Sequence, residues 1–267
     1  MRFRYVIFLL GLLFIYKSFG ADPYRKAYGK YAYSLKSTLK KITKKNHHSR
    51  DYYDLSLAFF QIDKDEEYET DHSLIDIYSE NPFGADDYNY THFNQRCGEY
   101  SQEGQCFNRE HIFPQSSFNK DYPMKSDIFH VYPTDGFVNG RRGELPFGEV
   151  QKIHWQSKNG SKIGTGVNGD FRGRVFEPID EFKGDIARSL FYFATRYEDQ
   201  IKNFEHKMLD GSRKRVYKKW VIDVLLRWHK NDPVSSYERR RNNAGEKFQG
   251  NRNPFIDHPE WVELIWD

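Results

Sequence analysis

Three stretches of this chain place apolar side chains at alternating three- and four-residue steps, and that spacing fixes much of what it can fold into. Ile186, Leu190, Phe193 and Tyr197 recur in this way within residues 183–198. Trp220, Val221, Val224, Leu225 and Trp228 do so within 215–230, and Tyr28, Tyr31, Leu35, Leu39 and Ile42 within 24–45. Each set lines one side of a helix and needs a partner surface to cover it. Strand signals are fewer and shorter. "FNREHIFPQ" (107–115), "DIFHVYP" (127–133) and "LIDIYSE" (74–80) read as strands, and residues 150–177 as a hairpin turning at Asn159-Gly160. The expected class is therefore α+β, mostly helical and irregular with a small sheet.

Aromatic residues make up 17% of the sequence and run through its whole length, with no repeat or low-complexity linker to divide it. That supply of large apolar groups suits one core and one domain. The first twenty residues stand apart. Arg2 and Arg4 precede an apolar run from Tyr5 to Tyr16, followed by Ser18 and Gly20 before Ala21. This is the plan of a secretory signal peptide, and the run is shorter than the roughly 20 residues of a membrane-spanning helix. The expected product is a secreted or periplasmic chain of residues 21–267 with no lasting membrane association.

Charge gives no global pointer to a partner. The leader holds three basic residues (Arg2, Arg4, Lys17), so 41 basic residues less these three leave 38, equal to the 38 acidic ones. Any attraction for an anion must come from local clusters, such as Lys36–Arg50, Arg213–Lys219 and Arg239–Arg241, offset by an acidic tract at 63–71 that reads as solvated loop. The two cysteines, Cys97 and Cys106, are expected to form a disulfide in an exported chain. They are too few for a cysteine-based zinc site.

The chemistry concentrates in residues 105–143. Neighbouring strand residues face opposite ways, so Glu110 and His111 cannot share one pocket wall. They could instead approach a reacting centre from two sides. Glu110 and Asn139 offer the hard oxygens a Mg²⁺ ion takes, and a neutral His111 could accept a proton from water. Arg141 and Arg142, at the end of a short helix expected over 134–143 with Thr134 as cap, could grip phosphate. Each residue also has a plainer reading: a surface pair, an Asn-Gly turn, a core histidine at His130, a solvated helix end. Spacing alone leaves both open.

Four blocks add to this. "CGEYSQEGQCFNREHIFPQS", "MKSDIFHVYPTDGFVNGRRGELPFGEV", "KGDIARSLFYFATRYE" and "QGNRNPFIDHPEWVELIW" occur in the order of the bacterial endonuclease I family, which the chain resembles over roughly residues 74–266. The resemblance implies a ββα-metal (His-Me finger) motif at about 105–143 and a metal-dependent, sequence-non-specific endonuclease leaving 5′-phosphate and 3′-hydroxyl ends. It casts His111 as general base and Glu110 and Asn139 as ligands of Mg²⁺ or another divalent cation such as Ca²⁺ or Mn²⁺. It implies a monomer acting on DNA, with RNA as a further substrate. Many relatives carry two histidines where this chain reads Phe129-His130, so His130 receives no catalytic role.

A non-specific nuclease reads backbone rather than base edges. Arg142 and Arg252, then Arg141 and Asn253, are the expected phosphate contacts, although Arg252 and Asn253 could equally pin the C-terminal segment to the core. Two rivals remain. A non-catalytic nucleic-acid-binding module would bind DNA without cleavage and ignore chelators. An exported phosphodiesterase would turn over a small diester and leave plasmid intact.

Overall fold

The helix that organises the molecule is α4 (Lys183–Arg196), where every residue from Gly184 to Arg196 is buried. Its apolar stripe is covered as expected, yet the opposite face is enclosed too. Two of its polar side chains are accommodated by bonding: Arg188 donates to both oxygens of Glu238 at 2.6 Å, and Ser189 meets the Tyr132 hydroxyl at 2.8 Å. A buried ion pair tolerates desolvation only with such complete satisfaction. The computed structural model describes residues 22–267; the expected signal peptide lies outside the described residues.

Around α4 pack α1 (Ala32–Lys45), α5 (Lys219–Asn231) and a C-terminal pair, α7 (Pro254–Asp257) and α8 (Trp261–Trp266). Residues 24–31, expected to begin the first helix, form turns instead, and α1 starts only at Ala32. Helix α2 (Tyr52–Ile62) packs against α6 (Ser236–Gln249). Ser235 and Glu238 form a reciprocal capping box at the start of α6, and Gly250 closes it in the left-handed conformation (φ 89°).

Two small antiparallel sheets complete the α+β domain. One is the pair β1 (Phe107–His111) and β2 (Val131–Asp135), with α3 (Gly136–Arg142) following β2 directly. The other runs β3 (Val150–Gln156), β4 (Lys162–Asn168), β5 (Phe171–Glu177), with Gly160 at φ 100° in the first turn. The expected hairpin thus gains a third strand.

Three local expectations shift. Residues 74–80 are buried but form no strand. Asp76 accepts from the amides of Tyr78 and Asp135 (3.0 and 2.7 Å), and those side-chain bonds replace a ladder. The second strand starts at Val131 rather than 127, because Asp127 caps a tight turn over Ile128–His130. Asp135 rather than Thr134 caps α3, accepting from the Val138 amide at 2.8 Å. Among the described residues, no helix is long and apolar enough to cross a membrane.

Candidate active site

The β1–β2 hairpin and α3 meet at a cleft of about 520 Å³ whose walls include Glu110, His111, Asn139 and Arg142. Register places Glu110 opposite Tyr132 and His111 opposite Val131, so the two side chains diverge as alternation requires. The disulfide Cys97–Cys106 (Cα–Cα 5.6 Å) ties the loop before β1 to the residue just ahead of the strand. Tyr100 in that loop lies against α3 at Gly136 and Gly140. A Cβ on either glycine would collide with its ring, so the spacing of these two glycines lets the loop close over the helix.

Glu110 is only 2% exposed. Its Oε1 accepts from the Tyr78 hydroxyl and from Arg142 Nη1, each at 2.8 Å, while among the described residues nothing bonds Oε2. Burial pushes this carboxyl above its ordinary range, against the opposing pull of Arg142 and Tyr78. Asn139 donates from Nδ2 to Asn108 Oδ1 at 2.6 Å, which turns its own Oδ1 away from that partner. The cleft therefore offers two hard oxygens that have no hydrogen-bond partner among the described residues, one carboxylate and one amide. That donor set fits Mg²⁺ or Ca²⁺, which take oxygens and keep water in the remaining positions.

His111 points the other way, among the rings of Tyr52, Phe118 and His130 at centroid distances of 5.7, 6.2 and 5.7 Å. Its Nε2 lies 3.0 Å from the Lys125 carbonyl. A carbonyl can only accept, so Nε2 carries the proton and Nδ1 holds the free lone pair. Burial, and then His130 beside it, depress this imidazole well below its usual range, so it is neutral near pH 7. His130 is a core histidine: it is fully buried, its Nε2 donates to the Met124 carbonyl at 2.6 Å, and burial lowers it to about 4.

The expected phosphate contacts are placed differently. Arg142 is 1% exposed and donates to Glu110, to the His111 carbonyl (3.0 Å) and to the Ile112 carbonyl (2.8 Å), so it braces the end of β1. Arg141 is exposed, with its guanidinium 5.2 Å from the Trp155 ring, and does not line the cleft. Arg252 gives Nε and Nη2 to Asp257 (2.7 and 2.6 Å) and Nη1 to Asn243 and Glu246 (both 2.9 Å). Asn253 caps α7 at the Phe255 amide and donates to the Arg188 carbonyl. Both belong to the C-terminal clamp, and neither lines the cleft. The cluster Arg239–Arg241 is largely neutralised as well: Arg241 pairs with buried Asp63 at 2.6 Å, and Arg240 with Glu66 and Glu67. The acidic tract is thus partly a packing surface, not merely solvated loop.

Besides the engaged Arg142, the basic groups that line the cleft are Arg109 and Lys120. Arg109 stacks 3.6 Å from the Tyr52 ring centre and donates to the Tyr52 carbonyl at 2.8 Å. The signal for it is present in the sequence, because strand alternation puts residue 109 on the face of residue 111. Lys120 sits in a loop that no periodicity describes.

The family model for Endonuclease I matches residues 31–260 of the chain. An extracellular ribonuclease of Bacillus subtilis is 35% identical over 248 residues, covering 91% of this chain and 77% of that protein. An extracellular ribonuclease of Bacillus amyloliquefaciens is 41% identical over 165 residues, 60% of this chain and 54% of that protein. A periplasmic deoxyribonuclease of Aeromonas hydrophila is 26% identical over 163 residues, again 60% of this chain and 59% of the relative.

Proposed function

The chain belongs to the Endonuclease I family, and on that premise we propose that it is a secreted, divalent-metal-dependent nuclease that hydrolyses phosphodiester bonds of DNA and RNA without sequence preference. The observation that carries this reading is the divergence of Glu110 and His111 from one strand into one cleft, with the oxygen ligands on one side and a tautomer-fixed imidazole on the other. In-line displacement at phosphorus needs its attacking and departing oxygens on opposite sides, and this arrangement serves both.

His111 Nδ1 takes the proton of an attacking water, and the Lys125 carbonyl holds the ring in the tautomer that leaves Nδ1 unprotonated. Glu110 Oε2 and Asn139 Oδ1 are the residues to hold the cation. When bound, Mg²⁺ supplies Lewis-acid stabilisation of charge at the phosphorus and on the departing 3′ oxygen. Arg142 and Tyr78 position Glu110, so that one of its oxygens stays directed to the cleft. Arg109 and Lys120 hold the backbone phosphates, the contact that carries affinity but no sequence information. Because water attacks rather than the ribose 2′-hydroxyl, neither sugar is excluded, in keeping with relatives named both as ribonucleases and as deoxyribonucleases. The products are 5′-phosphate and 3′-hydroxyl ends, and a single chain supplies every residue invoked.

The decisive experiment incubates supercoiled plasmid and an RNA transcript with the purified protein in Mg²⁺ and in EDTA, beside His111→Ala. Cleavage in Mg²⁺ that EDTA abolishes and the variant lacks is the expected result. A folded wild type that cuts neither polymer with any divalent ion overturns the reading.

A further inference from the structure

A second cluster of acidic side chains lies apart from the cleft. Glu69, Glu80 and Asp86 each bring a carboxylate oxygen within 4.8 Å of the other two. Close carboxylates on a protein surface are ordinary, but Glu80 is not at the surface. It is 0% exposed, and among the described residues neither of its oxygens has a hydrogen-bond partner. Glu69 Oε1 is likewise buried and unpartnered. Among the described residues, no lysine, arginine or histidine forms an ion pair with any of the three.

Such an arrangement is costly as it stands. Like charges at this separation repel, and an unpaired buried carboxylate loses its hydration without replacement. Asp63, Asp185 and Glu198 also each leave one buried oxygen unpartnered among the described residues, but each of them has an arginine or lysine in ion-pair range. Two other buried carboxylates are fully supplied. Asp127 accepts from Tyr192, Tyr197, Gln249 and the Phe129 amide, and Asp65 from four consecutive backbone amides, Glu67 to Thr70. Against that standard, Glu80 lacks a counterpart of positive charge. Glu80 also lines a cleft of about 550 Å³, together with Asn81, Asp87 and Asp180.

We propose that Glu69, Glu80 and Asp86 form a second divalent-cation site, separate from the catalytic cleft, that takes Ca²⁺. All three donors are hard oxygens, which excludes a preference for soft metals. They are drawn from an acidic loop and from the tight turn at 80–86. In that turn the Asn81 amide donates to Asp86 Oδ1 at 2.7 Å, so the other Asp86 oxygen remains available. Calcium accepts six to eight oxygens in irregular geometry, whereas Mg²⁺ demands a near-ideal octahedron. The site is structural in kind. It joins the acidic loop to the segment Asp76–Glu80, in which Asp76 accepts from the Asp135 amide and Tyr78 donates to Glu110. A bound ion therefore stiffens the support behind β1 and α3 without touching the substrate.

The test counts ions and does not depend on cleavage, so it stands or falls independently of the nuclease reading. Metal-stripped Asn139→Ala protein, in which the cleft ligand set is broken, is titrated with Ca²⁺ by calorimetry, and its melting temperature is followed in parallel. It should bind Ca²⁺ and melt higher as Ca²⁺ rises. Adding Glu80→Gln should remove one bound ion per chain and that melting response. Asp86→Asn is the second variant, with the same loss expected if Glu80→Gln does not fold. No binding up to about 10 mM Ca²⁺, beyond the 10⁻⁴–10⁻³ M range of extracellular calcium modules, overturns the proposal. So does an ion that remains bound after the substitutions.

Discussion

Two polar blocks of this chain look alike in sequence and behave oppositely in structure. "FNREHIFP" with "DGFVNGRR" and "NRNPFIDHP" both mix arginine, asparagine and carboxylate in a few residues. In the C-terminal block every group is engaged. Arg252 bonds Asp257, Asn243 and Glu246, and Asn253 bonds a backbone amide and a distant carbonyl. In the cleft block, Glu110 Oε2, Asn139 Oδ1 and His111 Nδ1, all on residues that line the cavity, have no hydrogen-bond partner among the described residues. Polar density in a sequence says that hydrogen bonds will be made. Only the folded arrangement shows where capacity is left over, and that remainder is what chemistry can use.

The sharpest way to break this comparison is to delete one group from each block. His111→Ala should lower kcat by about 10² to 10⁴, the usual contribution of a general base, at nearly unchanged DNA affinity. Arg252→Ala should leave kcat within about twofold and instead reduce stability. Comparable rate losses in the two variants would show that the C-terminal block belongs to the active site after all.

Within the cleft block, Arg142 is the exception, a residue that is engaged so that its neighbour need not be. Arg142→Met leaves Glu110 buried without its counter-charge, and should cost on the order of 3–5 kcal/mol of stability in EDTA. Denaturation midpoints measured without metal check this. A variant as stable as wild type would mean that the Glu110–Arg142 pair holds nothing in place.

His130 sharpens the contrast with His111, since the two imidazoles are neighbours with different roles. Burial lowers His130 to about 4 in the folded chain, while its unfolded value is near 6.5. Between these values the unfolded chain binds the proton and the folded chain does not. Its contribution to stability is therefore intact above pH 6.5 and lost as pH falls toward 4, by roughly 3 kcal/mol. In His130→Gln the acid limb of the stability curve should be shallower by that amount. Parallel acid limbs for the two proteins would contradict the assignment.

Much of the fold and of the cleft is legible in the amino-acid order itself, for physical reasons that can be traced residue by residue. The stripes of α1, α4 and α5 and the turn at Asn159-Gly160 rest on local periodicity and local backbone chemistry, which a sequence carries in full. The α+β class follows from them. Residues 74–80 mislead because alternating apolar residues look the same whether they pair as a strand or are buried on both sides, and Asp76 satisfies the backbone there from its own side chain. The start of β2 reads too early because Asp127 is held by Tyr192, Tyr197 and Gln249, partners more than sixty residues away. Arg142 reads as a phosphate contact for a like reason, since its three acceptors lie some thirty residues back, on β1 and just beyond it. Engagement across long sequence distances is what patterning cannot see. The Glu69, Glu80 and Asp86 cluster is hidden behind it as well.

The smallest expected effect separates phosphate contacts from structural arginines most cleanly. Each lysine or arginine that neutralises a backbone phosphate releases counterions on binding, so it steepens the fall of log affinity with log salt by about one unit. Arg109 and Lys120 line the cleft, whereas the guanidinium of Arg252 is shared among three neighbours outside it. With His111→Ala as a non-cleaving background, Arg109→Ala and Lys120→Ala should each lower the salt slope for duplex DNA by about one, uniformly across sequences. Arg252→Ala should leave the slope where it was. An unchanged slope for Arg109→Ala would mean that its stacking on Tyr52 is its whole role, and that the phosphates pass along another face of the cleft.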